Sequence, residues 1–372
     1  MLKNVDLHLH SCYSMATSPE MLPESILAGC RTKGIQVVGS GDALHPGWRR
    51  LWEPYLNNSF GITVVPQTEV EDSARVHHVI LMETFAQFAE LQEMLSPFCS
   101  HLETAGRPHL HLDGERIASM VHTVGGQIGP AHAFTPWTSL FAAYTAPSEC
   151  YGEEPFEFCE LGLSADSSYG AGIAEFAEVP FLTNSDAHSP SPVKIGREFT
   201  RMDVAGNEPR AVLDAIRQGS VVLNAGFFPE EGKYNRTACV RCYAQFSLEE
   251  AKSLNWRCPH DTGRIKLGVR ERAEMLSTLP TPTVRPPYLK MIPLGEVIAR
   301  VLWVSSPSTK KCSAMYSAFL ATFDTEISVL LEVPHADLAE VSVAVADAVC
   351  NLREGRVTLI PGGGGKYGSF TF

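Results

Sequence analysis

Seven short apolar runs recur through the first 225 residues, and helix-like segments separate them: VDLHLH (5–10), IQVVGSG (35–41), GITVVP (61–66), VHHVILM (76–82), GQIGPAH (126–132), FEFCELG (156–162) and PFLTNSD (180–186). Runs of this length bounded by turn residues read as strands. Amphipathic stretches such as 20–33, 84–98, 114–124 and 207–218 read as the helices that cover them. Near-continuous apolar strands alternating with helices predict a parallel sheet buried on both faces. Seven of them in one compact run suit a closed, distorted β/α barrel better than an open sheet. Functional residues of such barrels gather at the carboxyl ends of the strands, and that is where the polar residues of these runs stand.

Residues two apart on a strand share a face, so His8 and His10 aim two imidazoles at one place. Asp186 and His188 repeat the spacing at the end of the last run, with Asn184 and Ser185 placed to orient them. Asp42 with His45 nearby, Glu69, His77 beside His78, and His132 stand at strand ends between the two pairs. Alternation lets only one of His77 and His78 face the barrel mouth, and the flanking apolar residues favour His78. Together these residues have the ligand mix of a two- or three-metal hydrolytic site, which activates a water and neutralises phosphoryl charge.

The pattern breaks near 227, and charge shifts with it. The chain carries a formal net charge of −12, but residues 1–230 hold 13 basic and 28 acidic side chains, whereas residues 231–290 hold 11 and 6. The basic segment contains CVRC (239–242) and CPHD (258–261), the outline of a zinc ribbon whose last Cys is replaced. Cys239, Cys242 and Cys258 with Asp261 or His260 can complete a tetrahedral structural zinc site, although a metal-free ribbon stays open. Lys233, Arg236, Arg241, Arg264, Lys266 and Arg270 are placed to neutralise phosphates, and Phe134 and Trp137 to stack on a base or sugar. Expected units are 1–228 (barrel), 229–290 (basic zinc module) and 291–372 (mostly helical), with GGGGKYGSFTF (362–372) a flexible tail. No run approaches the ~18 apolar residues of a membrane span, the first residues are not a signal peptide, and the ten scattered Cys fit a reducing compartment, so a cytoplasmic location is expected.

The strand-end constellation resembles the polymerase-and-histidinol-phosphatase (PHP) family, whose signature is an initial HxH, intermediate acidic and His residues, and a late DxH. The resemblance implies an α/β fold, a distorted (β/α)7 PHP barrel, with metal ligands His8, His10, Asp42, Glu69, His78, His132, Asp186 and His188. It leaves Asp42 and His45 as alternatives at the second motif. His8, His10, Asp186 and His188 would be catalytic. Local runs LHLHSCYS, RVHHVILM, PAHAFTPWTSLF, ELGLSAD, NSDAHSP, FFPEEGKY and PPYLKMIPLGEVI are similar to the endonuclease Q family of PHP-domain repair nucleases. That likeness spans nearly the whole chain.

It implies hydrolysis of the phosphodiester 5′ of a deaminated base (deoxyuridine, deoxyinosine, deoxyxanthosine) or of an abasic site, leaving a 3′-hydroxyl and a 5′-phosphate. Zn²⁺ is expected in the module and in the active site, where Mg²⁺ or Mn²⁺ is an alternative. The competing reading is a PHP-type phosphatase acting on small phosphate esters, which has no need of the basic module. Damaged DNA is the expected partner and a membrane is not. A sliding clamp is a possible partner by resemblance, but KYGSFTF lacks the glutamine-led hydrophobic box that would recruit one.

Overall fold

The computed structural model describes residues 1–372; six of the seven expected strands are present in shortened form, and the first is displaced to Leu2–Asp6, leaving His8 and His10 beyond its end. They are β1 (Leu2–Asp6), β2 (Val37–Gly39), β3 (Thr63–Val65), β5 (His77–Leu81), β6 (Gln127–Pro130), β7 (Cys159–Glu160) and β8 (Phe181–Leu182), joined by an unexpected β4 (Gln67–Glu71). β1, β2 and β3 pair in parallel, with Val5 opposite Val37 and Val38 opposite Val64. Pro66 then interrupts the strand, since it has no N–H for the ladder. β4 continues beyond it with a new partner.

From there the sheet departs from the parallel plan. β4 pairs antiparallel with β5, and β5 with β6. For the first pair the reason is the length of the turn. Asp72 Oδ1 accepts from the N–H groups of Ala74 and Val76, making a tight hairpin with no room for a crossover helix. Backbone bonds from Glu157 to Ile128 and from Ala133 to Glu160 carry the ladder to β7, which pairs in parallel with β8. The His10 N–H donates to Ala187 C=O at 3.1 Å, so the chain of neighbours returns to the continuation of β1. Val5, Leu7, Val37, Val65, Val79, Leu81, Ala131, Phe158 and Leu182 are buried together inside this ring.

Further strands lie outside the ring. β9 (Phe199–Asp203) and β10 (Val221–Gly226) extend the sheet antiparallel from β1, and the Pro-rich segment after 280 leads into β13 (Tyr288–Lys290), which joins β10 in parallel. The basic module contributes β11 (Ala238–Cys239) and β12 (Ile265–Lys266), paired antiparallel over a small core of Ala251, Cys258 and Ile265. The carboxyl-terminal helices share one core with the outer face of the β1–β3 sheet: Val297, Phe319 and Val345 pack with Leu9, Ile26 and Val38. A buried Lys33–Glu326 pair at 2.6 Å fastens them, with Glu326 also accepting from Leu294 N–H and Tyr316 O–H. No helix is long and apolar enough to cross a membrane.

The expected flexible tail is instead ordered. β14 (Thr358–Ile360) and β15 (Ser369–Thr371) form a hairpin whose glycine loop lies against the basic module. Gly364, at φ +63°, sits so close that a Cβ there would stand 2.1 Å from Cys239 C=O. The glycines serve close backbone approach rather than flexibility.

Glu198 is a buried acid beneath Gly226. Its Oε1 accepts from Phe227 N–H at 3.0 Å and its Oε2 has no partner. Burial pushes its carboxyl up from 4.5 to about 8. The folded state therefore keeps a proton that the unfolded chain releases, and stability falls as pH rises through that window. Glu198→Gln is expected to melt about 5 °C higher than the parent at pH 8. The gap should close below pH 5 in a thermal melt, and a gap that is the same at both pH values would contradict the assignment.

Candidate metal centre

At the carboxyl ends of the ring strands, three donor groups overlap: His8, His10 and Glu69; His10, Asp186 and His188; and Glu69, His77 and His132. Within each, one ligand atom per residue lies within 4.8 Å of the others. His10 and Glu69 belong to two groups each, so the cluster is continuous. His10 Nε2 is 3.0 Å from Asp186 Oδ1 and 3.4 Å from Glu69 Oε2, and His8 Nε2 is 3.6 Å from Glu69 Oε1. His77 Nδ1 and His132 Nε2 approach Glu69 Oε1 at 2.9 and 3.1 Å.

The backbone is bent to present these groups. Asp42, His132 and Asp186, each just past the end of a strand, have positive φ of 36°, 32° and 48°. Such conformations are uncommon outside glycine and concentrate at functional sites. Asp6 holds the last of these loops by accepting from the N–H groups of Ser185 and Gly196, both at 2.9 Å.

A second layer orients the imidazoles. Glu160 meets His8 Nδ1 at 3.0 Å and is itself held by Asn184 Nδ2 and His132 N–H. Asp42 lies 3.3 Å from His10 Nδ1, while its Oδ2 accepts from Ser11 N–H and from the Ser14 hydroxyl. Asp42 is thus placed behind His10, as the carboxylate that fixes a ligand ring, and not among the converging donors. His45 is farther away: its ring accepts from Trp48 N–H as a helix cap and stacks on Tyr13.

The donors fit divalent cations. His8 Nε2, His10 Nε2 and Asp186 Oδ1 are buried and point into the cluster without a well-directed hydrogen bond, the 3.0 Å approach of His10 to Asp186 included. Burial alone would lower the pKa of His8, yet Glu160, Glu69 and Asp186 outweigh it and hold the ring up at about 9. An enclosure whose carboxylates pull protons onto buried imidazoles is one that cations can occupy in their place.

His78 is the clearest correction. It faces away from the cluster, with Nδ1 2.8 Å from the Tyr151 hydroxyl and Nε2 3.3 Å from Asp72. In the hairpin register Glu69 lies opposite Val79, so His77 and not His78 shares its face. Glu160 and Arg107 are the residues that sequence reasoning left out, and His77 is the one it passed over in favour of His78. Arg107 Nη1 meets Glu69 Oε2 at 3.1 Å, and its side chain is 30% exposed at the mouth.

In the basic module, Cys239 Sγ lies 3.3 Å from Asp261 Oδ1 and Cys242 Sγ 3.5 Å from Cys258 Sγ; all four donors fall within 4.8 Å of one another. Three thiols and a carboxylate in this spacing fit a tetrahedral zinc site. Asp261 completes the set, while His260 lies against the Phe246 ring.

The expected DNA contacts divide. Lys233, Arg241, Arg264 and Arg270 are exposed, Arg270 also pairing with Glu274 at 3.3 Å. Arg236 is committed to the buried Glu271 at 2.9 Å. Phe134 is core, packed on Phe141. Lys266 is turned inward over the ring of Trp137, which is itself 60% exposed.

Comparison with known proteins finds relatives across the chain. A family described as the MJ0043 C-terminal domain matches residues 293–356. The uncharacterized protein MJ0043 of Methanocaldococcus jannaschii is 39% identical over 269 residues, 70% of this chain and 34% of that protein. The chain thus spans about a third of that relative's length. The uncharacterized protein YqxK of Bacillus subtilis is 31% identical over 304 residues, 80% of this chain and 74% of YqxK. Two crystal structures align with the whole chain. One is the lesion-specific endonuclease PfuEndoQ from Pyrococcus furiosus, with a TM-score of 0.95, 40% identity and 96% of that chain covered. The other is endonuclease Q in complex with a 27-mer duplex carrying an abasic lesion at the active site, with a TM-score of 0.92, 39% identity and 97% covered.

Proposed function

This chain belongs to the endonuclease Q family, and from that premise we propose that it is a metal-dependent DNA repair endonuclease that hydrolyses the phosphodiester at abasic sites. Deaminated bases are the further substrates in this reading, with cleavage 5′ of the lesion. The observation that carries it is the continuous cluster of buried imidazoles and carboxylates, open to solvent beside a single guanidinium.

His8, His10, Glu69, Asp186 and His188 would hold divalent cations, which would supply a water of lowered pKa and neutralise charge on the phosphoryl oxygens. The chain's own residues do the rest. Glu160 and Asp42 fix the rings of His8 and His10, so the donors need no rearrangement. Arg107 sits on a clamped loop: Gly106 N–H donates to Tyr13 C=O, and a Cβ at Gly106 would stand 2.3 Å from Asp42 Oδ2. With Glu69 engaged as a metal ligand, the Arg107 guanidinium would be free to pair with a phosphate at the mouth. His188, whose ring centroid is 4.4 Å from that of His10, stands at the rim, where it can accept a proton.

Arg107→Ala is expected to lower kcat for incision about 10²-fold, with Arg107→Lys recovering part of it. Metal content should not change. A loss of bound metal in proportion to activity would show that Arg107 serves only Glu69. Substrate range is tested with 5′-labelled duplexes carrying one abasic site, uracil, hypoxanthine or xanthine. Each is expected to give a single product ending in a 3′-hydroxyl just 5′ of the lesion, and products on the 3′ side would overturn the proposed chemistry.

The structural zinc is assigned to Cys239, Cys242, Cys258 and Asp261, and the DNA face to Lys233, Arg241, Arg264 and Arg270. The alternative phosphatase reading gains nothing from either.

A further inference from the structure

Lys266 belongs to the basic segment, yet its Nζ is fully buried and has no hydrogen-bond partner. It lies 3.3 Å from the centroid of the Trp137 ring and 4.2 Å from that of Tyr234, and the two rings meet edge to face. An ammonium held between two ring faces is not available to a phosphate. It is a clamp across two parts of the molecule, since Lys266 stands on β12 of the zinc module and Trp137 on the turn that follows β6.

That turn is wired into the metal centre at two points. The Thr135 hydroxyl lies 3.0 Å from Trp137 C=O and 3.2 Å from His132 Nδ1, the far side of a ring whose Nε2 meets Glu69. Next along, Thr138 C=O accepts from His77 N–H at 3.1 Å, and His77 Nδ1 is the other imidazole on Glu69 Oε1. At the opposite end, Lys266 pairs with Ala238 and the adjacent Ile265 with the candidate zinc ligand Cys239. His132 and Thr138 both have positive φ, so the turn is held in a sparsely populated backbone conformation that its surroundings must maintain.

We propose that Lys266 is a positioning residue for the metal centre: through Trp137 it fixes the 132–139 turn, and with it the side of the cluster built from His132, His77 and Glu69. The zinc module thereby contributes to catalysis as well as to DNA contact. The inference rests on the cluster being the active metal site.

The test uses the full chain. Lys266→Met keeps the aliphatic stem and removes the charge. It is expected to weaken Mn²⁺ binding severalfold in calorimetric titration and to lower kcat about tenfold. KM, the Kd for an abasic duplex and the salt dependence of that Kd should not move. Lys266→Arg, which retains a cation over the rings, should recover most of the loss. Iodide should quench tryptophan fluorescence more strongly in Lys266→Met as Trp137 is released.

A DNA affinity that drops with a salt slope shallower by about one would make Lys266 a phosphate contact and overturn the proposal. Unchanged Mn²⁺ binding in a folded Lys266→Met protein would overturn it equally. Failure of the parent protein to incise any lesion duplex would instead count against the endonuclease assignment, while the Mn²⁺ titration still decides the role of Lys266.

Discussion

Replacing Glu69 with Gln should reduce incision of an abasic duplex by about 10³-fold or more and change duplex affinity by less than about threefold. Glu69 is the residue on which two donor groups converge, meeting His77 and His132 on one oxygen and His10 and Arg107 on the other. Gln keeps the shape but removes the anion that draws cations into this part of the cluster. Apart from Arg107 at the mouth, the DNA contacts lie on the exposed basic residues of the module, so binding should survive. The measurement is single-turnover cleavage beside an equilibrium binding assay on the same duplex. Equal losses in both would mean that Glu69 supports the fold rather than the reaction.

The second large effect concerns the module. Cys258→Ser should release one zinc per chain and raise the Kd for duplex DNA about tenfold at low salt. A site of this kind supplies much of the folding free energy of a small unit, and this one has only a small core. The slope of log Kd against log salt should become shallower as well, because Arg241 and Arg264 flank the ligands Cys242, Asp261 and Cys239 and would lose their fixed positions. Metal content and affinity both unchanged in Cys258→Ser would contradict the assignment of the thiols.

Much of this molecule is legible in its sequence, and the parts that are not have physical reasons. Strands show because an apolar run bounded by turn residues is a local property, and six of the seven were placed, the first being displaced. Their direction does not show: the antiparallel turn of β4 and β5 depends on Asp72 accepting from two backbone N–H groups, which no periodicity reports. The choice between His77 and His78 failed for a related reason. Val79 and Leu81 line the ring interior while Ile80 packs under the outer helices, so both faces of β5 are apolar and parity alone cannot tell them apart. Only the pairing of Glu69 with Val79 decides it.

The paired motifs were readable because HxH and DxH are local spacings that mark themselves, and each pair does converge on the cluster although both lie just past a strand end. Glu160 was not, because its role depends on His8 and Asn184 arriving from distant segments. Charge patterning located the basic module, but not the residues within it that turn inward. Lys266 and Arg236 are consumed by Trp137 and Glu271, and nothing local marks either of them.

One measurement bears most directly on the central assignment: incubating an abasic-site duplex and its undamaged counterpart with the protein, with and without a chelator and then with Zn²⁺, Mg²⁺ or Mn²⁺ restored. The account predicts one incision at the lesion, lost on chelation, recovered with a divalent cation and absent from the undamaged strand. No incision under any metal, together with ready hydrolysis of a simple phosphomonoester, would contradict it.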